Sequence, residues 1–147
     1  MVKHTESYTL WFREVYEKNK NRIISGVTNR KEFKKILKKK QILIIKASAT
    51  WCKPCKDILP VFFDLFEALP RNIKLLEIDV DNHRDLVTFF GIKSVPTFIS
   101  YNSFDRMDIL VGSNKKDLYT FFQKILEYNG NGMMSLGANI NTLIFET

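Results

Sequence analysis

Cysteine and histidine are the scarce residues of this chain. Its 147 residues include only two cysteines, Cys52 and Cys55, and only two histidines, His4 and His83. A zinc site needs about four ligands, and neither histidine lies at ligand spacing from the cysteines, which argues against bound metal. A disulfide across so small a loop would restrict the unfolded chain little, which argues against a purely structural cross-link. Redox chemistry is therefore the favoured interpretation of the pair.

Long apolar runs are also missing. No uncharged stretch approaches the roughly 18 residues that a membrane helix needs, so no membrane span is expected. The N-terminal stretch lacks the apolar core of a secretory signal, and its acidic residues Glu6, Glu14 and Glu17 argue against a transit peptide. We therefore expect an intracellular, most simply cytoplasmic, protein. In that compartment a close thiol pair is more often catalytic or metal-binding than structural.

The residues that are present suffice for one packed domain with some chain left over. Hydrophobic residues make up 45% of the chain, phenylalanine occurs 12 times, and the sequence has no internal repeat. The formal net charge is +7, and much of it lies between residues 18 and 40. Such a stretch could attract an acidic partner, but Phe33, Ile36 and Leu37 have helical spacing and favour an ordinary solvated helix face. We do not expect nucleic acid or a membrane as a partner.

Hydrophobic periodicity predicts alternating strands and helices. Strands are predicted over residues 22–27, 41–47, 73–80, 96–101 and 108–111. Helices are predicted over 5–17, from Asn29 to about Lys39, from the cysteine pair to about Leu69 with Pro60 inside, before Gly91, and after Asn114. The order begins with parallel strands and ends with an antiparallel hairpin. It predicts an α/β fold with a central mixed sheet of about five strands and helices on both faces.

Three segments follow from this pattern. Residues 1–20 are predicted to form an amphipathic helical extension, which either packs on its own domain or makes a dimer contact. Residues 21–128 form the predicted domain. Residues 129–147 are rich in glycine and asparagine and are predicted to be a flexible tail.

The cysteine pair falls where a buried strand gives way to a helix. Unpaired backbone N–H groups and the helix dipole favour an anion there, and Lys53 and Lys56 add positive charge. We therefore expect the Cys52 thiol to ionise readily and to attack disulfides. Cys55, one turn further on and expected to be the more buried thiol, would resolve the mixed disulfide. Pro54 stiffens the turn between them.

Two segments, SATWCKPCK (48–56) and FGIKSVPTF (90–98), resemble the thioredoxin family, and the likeness extends over roughly residues 22–128. The resemblance implies a thioredoxin fold in which Pro96 is the family's cis-proline beside the thiols. It also implies that the backbone of Val95 pairs with a bound substrate strand and that Gly112 borders the substrate groove. Trp51, together with Lys53 and Pro54, would complete the surface that meets protein disulfides.

The same resemblance implies an activity. A thioredoxin-like protein exchanges its dithiol with the disulfides of protein substrates, most simply as a disulfide reductase. It needs no bound cofactor, and its electrons come from a separate thioredoxin reductase-type donor or a small thiol pool. Two alternatives stay open: a more oxidising disulfide isomerase or oxidase, and a binding module that recruits a partner through its N-terminal helix.

Three positions depart from the family pattern. Lys46 stands six residues before Cys52, where the family commonly buries an aspartate, and Glu77 stands on the neighbouring strand where a lysine is frequent. We interpret them as a swapped pair beneath Cys55, with Glu77 as the proton acceptor and Lys46 favouring thiolates. The alternative leaves Lys46 reaching for solvent and Glu77 exposed. Lys53 replaces the usual glycine, which predicts a somewhat more oxidising protein.

Overall fold

A five-stranded mixed sheet forms the centre of the computed structural model, which describes residues 2–38, 41–103 and 105–129, the first six by backbone only. The strands are β1 (Ile23–Ile24), β2 (Ile42–Ser48), β3 (Lys74–Asp79), β4 (Thr97–Asn102) and β5 (Asp105–Val111). Their spatial order is β1-β3-β2-β4-β5. β3 runs parallel to β1 and β2, whereas β4 runs antiparallel to β2 and β5. The predicted fold class is confirmed.

In the described part of the chain, five α-helices cover the two faces of the sheet: α1 (Val2–Asn19), α2 (Arg30–Ile36), α3 (Lys53–Ala68), α4 (Arg84–Phe90) and α5 (Lys115–Tyr128). Alternate residues of β2 serve alternate faces, as the strand period of two requires. Ile42 and Ile44 join the core under α1, α3 and α5. Leu43 and Ile45 join the core under α2 and α4. Lys46 follows Ile44 by two residues, so its side chain lies on the same face of the sheet, under α1, α3 and α5.

The helix ends follow the predicted signals. The Asn29 side chain accepts a hydrogen bond from the Glu32 amide at 2.9 Å, and Asn114 does the same for Asp117 at 2.9 Å. These contacts satisfy amides that lack a partner within the helix. Gly91 ends α4 in the left-handed region, with φ of 69°. The predicted end of the second helix, near Lys39, lies outside the described residues, as does almost all of the predicted tail.

The first strand is shorter than predicted. The range 22–27 is wrong because Arg22 closes a short 3-10 helix (Lys20–Arg22) and is buried. Gly26 then adopts a positive φ of 78°, a conformation that glycine takes without steric cost and that ends the extended backbone. Only Ile23 and Ile24 pair with β3.

The last strand is longer than predicted, since it begins at Asp105 and not at residue 108. β5 lies at the edge of the sheet, where polar side chains can point to solvent. A strand prediction based on hydrophobic residues therefore misses Asp105 and Arg106, although both pair with β4.

The N-terminal helix packs on its own domain. Val15 of α1 is buried in the core, and the rings of Trp11 and Tyr16 meet Phe63 of α3 edge-on, with centroids 6.4 and 5.1 Å apart. Within the described ranges, no helix has the length and apolar character needed to cross a membrane.

Candidate active site

The two cysteines lie at the start of α3 and form a disulfide. β2 ends at Ser48, and the Cys52 amide donates to the Ala49 carbonyl at 3.1 Å, which turns the chain into the helix. Cys52 is the N-cap residue, and its Sγ accepts a hydrogen bond from the Cys55 amide at 3.2 Å. Pro54 occupies the first turn, where a missing N–H costs nothing. The sulfur of Cys52 thus lies among the free N–H groups of a helix N-terminus.

Both cysteines are covered in the disulfide form. Cys52 is 3% exposed and Cys55 is 6% exposed. The expectation that Cys55 is the more buried residue is therefore wrong for this state. Val80 and Val95 pack against the small cluster that the cysteines form with Ala49, and this cluster leaves Cys52 as little exposed as Cys55.

Two polar contacts fix the side chains around the pair. The Trp51 indole is 68% exposed, and its Nε1 donates to Oδ2 of Asp81 at 2.9 Å. The Lys53 Nζ donates to Oδ2 of Asp57 at 2.8 Å, one helical turn further on. Part of the Lys53 charge is therefore neutralised locally. The spacing of Lys53 and Asp57 was visible in the sequence; the partner of Trp51 was not.

The loop before β4 lies beside the thiols. The Val95–Pro96 peptide bond is cis, Val95 is half-buried against the cysteine cluster, and Pro96 is buried. The Gly112 amide donates to the Pro96 carbonyl at 2.9 Å, which ties the end of β5 to this loop. Gly112 has φ of 108°, a conformation in which another residue would be strained. Val95 thus packs against the cysteine cluster, and Pro96 joins its loop to Gly112.

Lys46 and Glu77 form an ion pair across β2 and β3. They are direct neighbours in the strand register, and Lys46 Nζ lies 2.9 Å from Glu77 Oε2. The Lys46 side chain is 6% exposed and that of Glu77 is 25% exposed. The alternative in which both side chains reach solvent separately does not occur. Breaking so buried a pair leaves an uncompensated charge, so each partner requires the other.

An active-site cavity of about 500 Å³ is lined by this pair and by one of the two cysteines, Cys55. Cys55, Lys46 and Glu77 all line it, and α1 contributes Tyr8, Phe12 and Tyr16. The lining also includes Ser48, Ala49, Thr50, Lys56, Leu59, Ile78, Asp79 and His83. A volume of this size has room for water between the polar groups. Proton exchange between Cys55 and Glu77 is therefore sterically feasible.

Tyr16 of α1 contacts the ion pair, a role that sequence reasoning missed. Its hydroxyl donates a short hydrogen bond to Oε2 of Glu77. Burial, followed by the charge and the hydrogen bond of Glu77, raises the pKa of Tyr16 well above its usual value, so the hydroxyl keeps its proton. In the sequence, Tyr16 is simply one aromatic residue of an amphipathic stripe. No local signal links it to a strand 61 residues away.

Across the described part of the chain, no group of three or more histidine, cysteine, aspartate or glutamate side chains could hold a metal ion. The chemistry that the site offers rests on the cysteine pair. A dithiol that closes to a disulfide at a helix N-terminus, beside a cis-proline loop, defines a dithiol–disulfide oxidoreductase.

Comparison with known proteins gives the family. The thioredoxin family model matches residues 25–124. Thioredoxin H4 of Arabidopsis thaliana is 33% identical over 90 residues, which cover 61% of this chain and 73% of that protein. Thioredoxin of Coprinus comatus is 35% identical over 105 residues, covering 71% and 99% respectively. Oxidised mitochondrial thioredoxin 3 of Saccharomyces cerevisiae superposes with a TM-score of 0.61 at 28% identity, over 67% of this chain and 92% of its own. The chain belongs to the thioredoxin family, and its activity is dithiol–disulfide exchange.

Proposed function

We propose that the protein works as a reductase of disulfides in other proteins, with Cys52 as the nucleophile and Cys55 as the resolving thiol. The observation that carries this assignment is the position of Cys52. Its sulfur caps α3 and accepts the Cys55 amide hydrogen. Backbone N–H groups and the helix dipole stabilise a thiolate there, and the thiolate is the form that attacks a disulfide.

The reaction transfers two electrons in two exchange steps. The Cys52 thiolate attacks one sulfur of the substrate disulfide, a mixed disulfide forms, and the other substrate sulfur leaves as a thiolate that takes up a proton. Cys55 then loses its proton and attacks the sulfur of Cys52. The second substrate thiolate leaves with its electron pair and is protonated in turn. The substrate is reduced to a dithiol, and the pair becomes the Cys52–Cys55 disulfide present in the structure.

The proposed substrate surface surrounds the pair. The exposed Trp51 indole offers an apolar face, held by its contact with Asp81. Val95 and Pro96, with Gly112 bonded to the Pro96 carbonyl, border the other side. An extended substrate segment would pair with the backbone of Val95, and main-chain pairing of this kind accepts many side-chain sequences. Lys53 and Pro54 complete the rim.

Glu77 and Lys46 are proposed to serve the second step. Glu77 accepts the Cys55 proton, either directly or through water in the active-site cavity, while Lys46 holds the carboxylate in place through the ion pair. The 2.9 Å ion pair and the shared cavity support this role. A base close to the resolving thiol raises the fraction of thiolate available for attack.

The proposed reaction uses no bound cofactor. The electrons that restore the dithiol come from a thioredoxin reductase-type donor or from a small thiol pool. An acidic partner for the basic residues is a weaker proposal, because several of these charges have partners within the fold. Arg30 pairs with Asp85 at 2.9 Å, and Lys34 lies 5.6 Å from the Phe89 ring centroid.

The adaptor alternative, with or without a dimer contact through the N-terminal helix, has less support. The N-terminal helix packs its apolar residues Trp11, Val15 and Tyr16 into the core of the same chain. Leu10 and Phe12 stay exposed, but two side chains make a small patch. Enzyme activity is the better account of the cysteine pair at the N-terminus of α3.

The equilibrium reduction potential of the cysteine pair tests the proposal. We expect a value near about −270 mV when the protein is titrated against defined thiol buffers, as for a reductase. A value near about −180 mV or higher would indicate disulfide formation or isomerisation instead. If no intramolecular disulfide formed at all, both enzymatic assignments would be excluded.

A further inference from the structure

The N-terminal helix contacts a charged residue of the active site through the hydroxyl of Tyr16. Tyr16 of α1 donates to Oε2 of Glu77, the same oxygen that lies 2.9 Å from Lys46 Nζ. Tyr16 also lies outside residues 25–124, which the family model matches. The extension thus supplies a hydrogen-bond donor to a carboxylate of the family's domain.

Packing holds the Tyr16 ring in place. Its centroid lies 4.4 Å from that of Phe12 and 5.1 Å from that of Phe63, the latter in an edge-on arrangement. Tyr8 and Phe12, from the same helix, line the active-site cavity beside it. The hydroxyl is therefore presented to Glu77 by a rigid aromatic cluster, and the helix that carries it covers one side of the cavity.

We propose that Tyr16 is a positioning residue for proton transfer between Cys55 and Glu77. The inference rests on the proposed role of Glu77 as the acceptor of the Cys55 proton. The Tyr16 hydroxyl and the Lys46 ammonium both contact Glu77 Oε2 and hold the carboxylate at the cavity that Cys55 lines. The α1 extension is then part of the catalytic apparatus and does more than stabilise the fold.

Removal of the hydroxyl has a predictable direction. Glu77 Oε2 loses one of the two donors that contact it, and with it a restraint on the orientation of the carboxylate. Resolution by Cys55 therefore becomes slower, whereas the attack by Cys52 is unaffected. The other titratable groups lining the cavity are Tyr8 from α1, Lys56 from α3, Asp79 from β3 and His83 from the start of α4; they stay unchanged in the comparison.

A symmetrical aromatic disulfide separates the two steps. The reduced protein releases one coloured thiol when Cys52 attacks and a second when Cys55 resolves, so stopped-flow absorbance gives two phases. For Tyr16→Phe we expect the second phase to slow by about three- to tenfold at neutral pH, because one hydrogen bond is lost. The first phase should be unchanged. Tyr128→Phe removes the same group from the exposed end of α5 and leaves both phases unaltered.

The second phase of the Glu77→Gln variant tests the proton-acceptor role of Glu77 separately from the positioning role of Tyr16. If Glu77→Gln leaves the second phase unaltered, the proton-acceptor role fails and the inference fails with it. If only Tyr16→Phe is without effect, the positioning role alone is wrong. In the Glu77→Gln background, Tyr16→Phe should slow resolution no further; additive effects would overturn the proposal.

A measurement on the unsubstituted tyrosine guards against a misfolded variant. The ¹³C chemical shift of Tyr16 Cζ reports on hydrogen bonding of the hydroxyl. We expect it to differ between the wild type and Glu77→Gln, because the charged acceptor is replaced by a neutral one. An unchanged shift would show that the hydroxyl does not donate to Glu77 in solution, and the proposal would be rejected.

Discussion

The guanidinium carbon of Arg22 lies 3.9 Å from the centroid of the Phe66 ring. Its N–H groups donate to the carbonyl oxygens of Phe66, Pro70 and Ile73, at distances between 3.0 and 3.3 Å. The last carbonyls of a helix have no partner within it. Arg22 therefore joins Phe66 in the last turn of α3 to Pro70 after the helix and to Ile73 just before β3.

Arg22→Lys should destabilise the fold although it conserves the charge. An ammonium on a flexible chain cannot reproduce the planar set of donors or the stacking on Phe66. We expect the free energy of unfolding to fall by about 2 kcal/mol, as for the loss of hydrogen bonds to a charged group. Urea denaturation of the oxidised protein measures this free energy. The control Arg71→Lys, at an exposed position, should change the free energy of unfolding by less than about 0.5 kcal/mol.

Charge reversal of the Lys46–Glu77 pair should be tolerated better when both residues change. Lys46→Glu alone places two carboxylates next to each other in a mostly buried site and should cost about 3 kcal/mol of unfolding free energy. Adding Glu77→Lys restores an ion pair and should recover at least half of the loss. The exposed pair Glu17–Lys20 is the control, since reversing it should change little. A double variant no more stable than Lys46→Glu would argue against direct pairing in solution.

The contact between Lys53 and Asp57 should limit how far Lys53 raises the reduction potential. Asp57→Asn releases the lysine charge, which then favours the reduced thiolate form, so the potential should rise by about 10–20 mV. Lys53→Gln should lower it by a similar amount. Both shifts are small because the two side chains are exposed. Titration against thiol buffers measures them, with Glu17→Gln as a control far from the thiols; a fall on Asp57→Asn would contradict this account.

Trp51 should matter more for protein substrates than for small disulfides. Its exposed indole can bury apolar surface only against a partner large enough to cover it. Trp51→Ala should lower kcat/KM for a folded protein disulfide by about tenfold and that for a small aliphatic disulfide much less. Asp81→Asn weakens the acceptor of the indole N–H and should give an intermediate loss. Equal losses on both substrates would indicate a role in the chemistry of Cys52 and not in docking.

The stabilising effect of the Tyr16 hydroxyl should disappear at alkaline pH. The pKa of Tyr16 is raised in the folded state by burial and by Glu77. Its stabilisation is therefore fully present below the unfolded pKa of about 10 and is lost as the pH rises beyond it. The difference in unfolding free energy between the wild type and Tyr16→Phe should be constant up to about pH 9.5 and then narrow. A difference that widens above this pH would contradict the raised pKa.

Local signals in the sequence sufficed for most of the fold. Asn29, Asn114 and Gly91 predict helix ends because each acts on amides or backbone angles within a few residues. The pattern of apolar residues gave wrong strand limits in two places. At β1, Arg22 gains its partners from the end of α3, and at β5 an edge strand needs few apolar residues. Both errors concern positions where contacts distant in the sequence decide the local structure.

The active site divides in the same way. The cysteine pair and Pro96 are recognisable from motifs, and the pairing of Lys46 with Glu77 was one of two interpretations of their departure from the family pattern. Tyr16 and the link between Trp51 and Asp81 depend on the way that α1 and the loop after β3 pack in three dimensions. A sequence motif carries no record of such contacts.

β5 offers the longest unpaired edge of the sheet, since β1 at the other side has only two residues. Exposed strand edges invite pairing between copies and so aggregation. Asp105, Arg106 and Asp108 put charges along the first half of this edge, whereas the exposed apolar residues Ile109 and Val111 lie at the end next to Gly112. Resistance to aggregation should therefore depend on those three charges, and neutralising them would extend the apolar edge away from the thiols.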